Sequence, residues 1–139
     1  MSLTGAIEFI QTKLSTLDGI RATPALPPES INVFPIIIAF PGNGTWEYGV
    51  PGAMNGTLSI VVQLHIARHS LPRDIEKASQ YVLSVPMTIM RDPTLGGNIK
   101  NFSKITFSLQ EMAWNNQDAK SVGLMWTVEG INLTEIITE

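Results

Sequence analysis

The chain has two histidines, His65 and His69, four residues apart. On a helix that spacing puts two imidazoles on one face, where they can hold a metal, as in the HExxH pattern. The local pattern here is not helical. From Thr57 to Arg68, Leu58, Ile60, Val62, Leu64 and Ile66 alternate with Ser59, Val61, Gln63, His65 and Ala67. A period of two predicts a strand, and two rings spaced four apart on or after a strand do not converge. His65 is expected on the less buried face of the sheet and His69 in the connector that follows. Neither is assigned as a metal ligand or general base, because such roles require geometry before pKa.

The remaining candidates for chemistry fail in similar ways. Gly42-Asn43-Gly44 follows an apolar segment, as a phosphate-binding turn does, but Thr45-Trp46-Glu47-Tyr48 does not open the helix whose N-terminus would receive the phosphate. Glu111 and Glu129 fall on the two strands of the last predicted hairpin and are expected to face each other across it. Exposed glutamates on strands are solvated surface far more often than a glycosidase carboxylate pair. The sequence contains no GxSxG elbow, P-loop or GxGxxG motif. It contains no cysteine, which excludes disulfides and thiolate metal sites. The expectation is a protein with no catalytic residues, metal or cofactor.

Length and composition shift attention from chemistry to surfaces. The 139 residues fit one domain over 1–139, and a chain near this size buries roughly 68–70% of its unfolded surface. The hydrophobic share of 44% is ordinary, whereas the charged share of 15% is well below the roughly 25% of average domains. Ser, Thr, Asn, Gln, Gly and Pro take up the difference. Interface cores are depleted in charge, so this composition suits assembly with other chains, and it equally describes a bland surface. The formal net charge is −3, and the nine basic residues are scattered, so no basic stripe for nucleic acid is expected. The longest apolar run, Val33 to Phe40, is interrupted by Pro35 and is far shorter than the roughly 18 residues of a membrane span. The first residues lack the pattern of a signal peptide. Neither a nucleic acid nor a membrane is an expected partner.

The elements that must position any surface follow from periodicity. Ala6, Ile7, Ile10, Leu14 and Leu17 recur at helical spacing, with Thr4 as the expected N-cap and Asp18-Gly19 as the stop. Asn32 to Phe40 is β-rich and apolar on both faces, which places it deep in a sheet. Pro41 to Met54 reads as a long loop or a hairpin with a wide tip. Ser70-Leu71-Pro72 begins a second helix with Ile75, Ala78, Ser79, Val82 and Leu83 as its buried stripe. Pro86 is expected to kink or end that helix, with Ser84 capping a second short piece through Met90. Ile105, Phe107 and Leu109 alternate on a third strand. Val122, Leu124, Trp126 and Val128 share one face of a fourth, with Gly130 marking a bulge. The polar cluster Asn115-Asn116-Gln117-Asp118 turns between these two strands. The whole is expected to be α+β: a mostly antiparallel sheet of about four or more strands with two helices packed on one face.

Among the aromatics, Trp126 belongs in the core, and Trp114, beside the polar turn, is undetermined. Trp46 and Tyr48 lie among Gly and polar residues. They are either a lid over the core or interaction residues of the type enriched at hot spots. The partner-contact candidates are therefore Trp46, Glu47 and Tyr48 on one loop and Asn115, Asn116, Asp118 and Lys120 on the other.

A more specific reading comes from Arg91-Asp92-Pro93-Thr94-Leu95-Gly96-Gly97-Asn98, where a helix ends in Asp-Pro-Thr-Leu-Gly-Gly and a strand follows. Together with the order of elements, this resembles the tail terminator (tail completion) proteins of long-tailed bacteriophages, a class of minor tail protein. The layout agrees over nearly the whole chain, and the Leu95-Gly96-Gly97 turn is its sharpest local feature. The resemblance implies an α+β subunit of a hexameric homo-oligomeric ring that caps the tail tube. Its partners would be further copies of itself, the tail tube protein and the head–tail connector protein. Its place would be the virion tail of a phage or prophage, and the bacterial host cytoplasm during assembly. A similar arrangement occurs in related head–tail joining (neck) proteins; a tail tube or baseplate protein is the second reading, and a small-molecule-binding domain or enzyme of the same fold class is the alternative from outside the virion.

Overall fold

The computed structural model describes residues 2–24, 34–67, 71–112 and 121–137. Helix α1 (Leu3–Leu14) is followed by strands β1 (Ile36–Tyr48) and β2 (Ala53–Ala67), helix α2 (Leu71–Met90), and strands β3 (Lys104–Met112) and β4 (Ser121–Ile136). The four strands form one sheet in the order β1-β2-β4-β3, with every neighbouring pair antiparallel. The protein is α+β: two hairpins joined through β2 and β4, with the helices packed on one face. That face carries Ile37 and Ala39 of β1, Ile60, Val62, Leu64 and Ile66 of β2, and Leu124, Trp126 and Val128 of β4. They pack with Ala6, Ile10 and Leu14 of α1 and with Ala78, Tyr81, Val85 and Ile89 of α2. Alternation thus places the β2 side chains and Trp126 as expected.

Several local expectations are corrected. Ser2, rather than Thr4, caps α1, its Oγ accepting from the Gly5 N–H at 3.0 Å. The helix closes at Leu14, and the chain reverses through Gly19 at φ +86°. β1 is an edge strand and does not lie deep in the sheet. Over its first four residues, Ile36 to Ala39, both faces are nevertheless covered. Ile37 and Ala39 enter the main core, while Ile36 and Ile38 form a small second cluster with Ala22, Phe34 and Phe40 on the helix-free face. Ala22 also pairs in parallel with Ile36, shielding the start of the edge.

Helix α2 continues through Pro86 without a break, and no second piece begins at Ser84. Proline removes one helical hydrogen bond. Val85 before it and Ile89 after it are both buried in the same core, which anchors the turns on either side. The buried stripe is also rotated from expectation. Ala78, Tyr81, Val85 and Ile89 face inward, whereas Ile75, Ser79 and Leu83 are exposed and Val82 is half-buried. Tyr81 fixes the rotation, since its hydroxyl donates to the Asp18 carbonyl oxygen at 2.9 Å, beyond the end of α1.

Two bulges meet at Ser59. On one side the β1 register shifts between Pro41 and Gly44; on the other, the β4 partners jump from Val128 to Ile131 across Gly130, at φ +70°. Ser59 is the single residue opposite both insertions. Its hydroxyl accepts from the Asn43 N–H at 2.9 Å and lies 3.0 Å from the Asn43 carbonyl oxygen. Bulges interrupt the ladder and bend the bulged strand. Beyond them Gly44–Tyr48, Ala53–Leu58 and Ile131–Ile136 continue as a three-stranded arm, which β3 does not join.

Candidate interaction surface

The arm changes the setting of the first group of candidate residues. The segment from Pro41 to Met54 is a hairpin whose strands continue to Tyr48 and resume at Ala53, so Trp46, Glu47 and Tyr48 are strand residues of β1 and not part of a loop. Across the ladder Trp46, Gly56 and Leu133 align, as do Tyr48, Met54 and Glu135. Directly paired residues share a face, and Leu133 belongs to the main core. Trp46 and Tyr48 therefore lie on the helix side of the sheet, outward of the buried Leu58 and Leu133. Trp46 is 44% exposed and Tyr48 86%. The Trp46 ring rests on Gly56, where an added Cβ would stand 2.7 Å from its Cζ3. Neither aromatic acts as a lid over the core. Glu47 projects from the opposite face with Thr45, Asn55, Thr57, Asn132 and Thr134, where the Thr134 hydroxyl donates to Asn55 Oδ1 at 2.8 Å. The arm is amphipathic, with aromatics on one face and, apart from Glu47, neutral polar groups on the other.

The second group, Asn115, Asn116, Asp118 and Lys120, lies outside the described residues, as do Trp114, His69 and Ser70. The other candidates for chemistry can be placed. His65 is fully buried, contrary to expectation, opposite Ile36 on one side and Gly123 on the other. Its Nε2 donates to Gln63 Oε1 at 2.9 Å. Burial lowers its pKa from 6.5 to about 4, so it is neutral at pH 7. It sits inside the sheet with no opening to a substrate, and its apolar neighbours explain the burial that alternation alone misassigned. Glu111 and Glu129 do not face each other. Glu111 is opposite Val122, while Glu129 is opposite Lys104 and within 3.9 Å of its ammonium. Seven residues of β3 separate the two positions, about 23 Å at strand rise. Gly42-Asn43-Gly44 forms one of the Ser59 bulges. Among the described residues no three His, Cys, Asp or Glu side chains cluster as metal ligands.

The Asp92 to Gly97 turn is a self-contained structural knot. The Asp92 carboxylate accepts from the Thr94 N–H, the Thr94 hydroxyl and the Gly96 N–H, and these bonds hold its pKa below the usual value. The Thr94 hydroxyl oxygen in turn accepts from the Gly97 N–H. Gly96 and Gly97 have φ of +75° and +80°, as expected for a glycine-dependent reversal. Leu95 also has positive φ, at +48°, and drives a fully buried side chain into the core.

The sequence reading missed a second surface. Rotation of α2 leaves Leu83, Met87 and Met90 about half or more exposed, and with Pro86 and Arg91 they line a shallow groove of about 550 Å³. Next to the helix layer, Phe107 and Leu109 of edge strand β3 are also exposed, although they pair with the buried Trp126 and Leu124. The available signal was the breadth of the α2 apolar arc. Residues 75, 78, 82, 83, 85, 86, 87, 89 and 90 are all apolar, more than one sheet-facing stripe can bury. Among the described residues, no helix is long and apolar enough to cross a membrane. No protein-family model and no curated protein matches the chain.

Proposed function

We propose that this protein is a structural subunit of a long-tailed phage or prophage, a tail terminator that forms a homo-oligomeric ring, caps the tail tube and contributes to head–tail joining. The observation carrying the proposal is the projecting arm with its uncovered Trp46 and Tyr48. It is joined to a helix–hairpin–helix–hairpin layout with the Asp-Pro-Thr-Leu-Gly-Gly turn of the tail terminators it resembles. Such a subunit needs surfaces rather than catalytic residues: one for its own neighbours in a ring, probed first as a hexamer, and axial ones for the tail tube and connector proteins. Contiguous exposed apolar residues on a small domain mark interaction sites. Ring function requires no group that titrates near neutrality, which fits a neutral, enclosed His65.

Electron microscopy of the purified protein, alone and with tail tubes, tests the proposal. Rings, and tubes capped at one end, are the expected images. Open tubes formed by the protein alone point instead to a tube subunit. A monomer at all concentrations that leaves tubes unchanged removes the proposal.

A further inference from the structure

We infer that the aromatic face of the arm docks into the α2 groove of a second copy of this chain, in a head-to-tail contact. The choice of a second copy rests on the ring reading above; the pairing of these two surfaces rests on their complementarity. Both are apolar, and neither is filled by the described residues of its own chain: Tyr48 is 86% exposed and Leu83 66%. The groove is lined by Leu83, Pro86, Met87 and Met90, and unbranched thioethers adapt to aromatic rings and attract them.

Charge is matched as well. The arm segments 43–58 and 131–137 carry Glu47 and Glu135 and no Lys or Arg. Glu135 shares a ladder position and a face with Tyr48. The groove is rimmed by Arg91, which has no carboxylate partner among the described residues. Seating Tyr48 among the methionines therefore brings a carboxylate to a cation at the rim, where opposite charges fix register. Because the two patches differ, the contact is heterologous: each copy offers an arm and a groove, and the contact repeats until it closes a ring or extends as a filament.

The absence of native cysteine makes disulfide trapping free of background. Val50→Cys, beside Tyr48 at the arm tip and 73% exposed, and Met87→Cys are made singly and together so that the Tyr48 ring stays in place, and circular dichroism verifies folding; Met90→Cys is a second groove reporter. Under mild oxidation, mixing the two single variants is expected to yield a dimer. The double variant is expected to give a ladder of oligomers, and either single variant alone should stay uncrosslinked. Glu135→Arg and Arg91→Glu are each expected to lower the trapped yield roughly fivefold at limiting concentration, and their combination across the contact to restore it. Homodimers from either single variant, or no mixed product with either groove reporter, overturn the inference. Native mass of the wild-type protein separates this failure from that of the ring reading. A ring without the arm–groove crosslink sinks only the pairing, and a monomer without it sinks both. A crosslinked ring that does not cap tubes upholds the pairing and removes the terminator function.

Discussion

Strands β1, β2 and β4 run through two regions with opposite fates. Before the Ser59 bulges, their helix-side residues, among them Val62, Leu64 and Trp126, are fully buried. Just past the bulges Leu58, Ile131 and Leu133 still enter the core, but farther out the same face of the same strands carries Trp46 and Tyr48 into solvent. Apolar area removed from water stabilises by roughly 25 cal/mol per Å², so the body contributes stability, whereas the arm retains apolar area that only another molecule can cover. Stability and association are thus expected to respond to separate substitutions, and each variant below strengthens or breaks that separation.

The largest effect is expected in the body. Leu64→Asp places a carboxyl where Leu64 is fully enclosed. Protonating it at pH 7 costs about 4 kcal/mol, and the lost leucine burial adds roughly 2 kcal/mol. Against a typical total of about 5–15 kcal/mol, the variant should be largely unfolded by circular dichroism. A cooperative native-like melt from this variant would mean that the body is not the stability core.

Acid should also act on the body. The His65 pKa is depressed to about 4 in the folded protein, from an ordinary value of 6.5. The unfolded chain therefore binds a proton that the folded one refuses. Stability is complete above pH 6.5 and falls as pH drops from there toward 4, by roughly 3 kcal/mol from this group. The positions directly opposite His65, Ile36 and Gly123, carry no carboxylate to offset the loss. Urea midpoints across this window should decline for the wild type and flatten for His65→Gln. An unchanged slope in that variant assigns the acid sensitivity elsewhere.

Two glycines with similar backbones extend the comparison to turns. Gly96 and Gly52 have φ of +75° and +88°. A Cβ on Gly96 would stand 2.7 Å from Phe9 Cδ2, whereas on Gly52, at the arm tip, it meets nothing within 4 Å. Left-handed backbone costs an L-residue about 1–2 kcal/mol. Gly52→Ala should lose about that amount, and Gly96→Ala roughly 1 kcal/mol more for displacing Phe9. Equal denaturant midpoints would show that Phe9 yields freely.

The legible part of this molecule was what a local period controls. The alternation from Leu58 to Ile66 located the core face of β2, and Gly130 located the bulge of β4, because each depends on backbone geometry in its own neighbourhood. Depth was not local. Ile36 to Phe40 is apolar on both faces, which suggested a central strand, yet the second face is covered by Ala22 and Phe34 beside an edge strand. His65 was misplaced for the same reason, since its burial depends on those neighbours. Glycines at 42, 44, 49 and 52 left a long loop and a wide-tipped hairpin both open; the hairpin forms, with Gly44 paired at the edge of a bulge. The rotation of α2 goes with the burial of Ala78, Val85 and Ile89 and with a long-range hydrogen bond, Tyr81 to Asp18, which no helical period encodes. The candidate surface was therefore half visible: Trp46 and Tyr48 stood out by residue type, whereas Leu83, Met87 and Met90 resembled ordinary core.

The smallest expected change in stability, and the most informative, is at Tyr48. Its side chain is almost wholly exposed, so Tyr48→Ala should shift the denaturant midpoint by less than about 0.5 kcal/mol. Trp46→Ala also forfeits the ring's contact with Gly56 and should cost about 1 kcal/mol. Truncating a central aromatic of an interface typically costs at least about 2 kcal/mol of binding, roughly 30-fold in affinity. Native mass measured through a dilution series should therefore show either variant dissociating at concentrations where the wild type stays assembled, with both monomers folded. If either variant unfolds, its aromatic supports the body and the two regions are not separable. If both fold and assemble as the wild type does, the contact surface lies elsewhere, with the exposed Phe107 and Leu109 of β3 as the next apolar face to truncate.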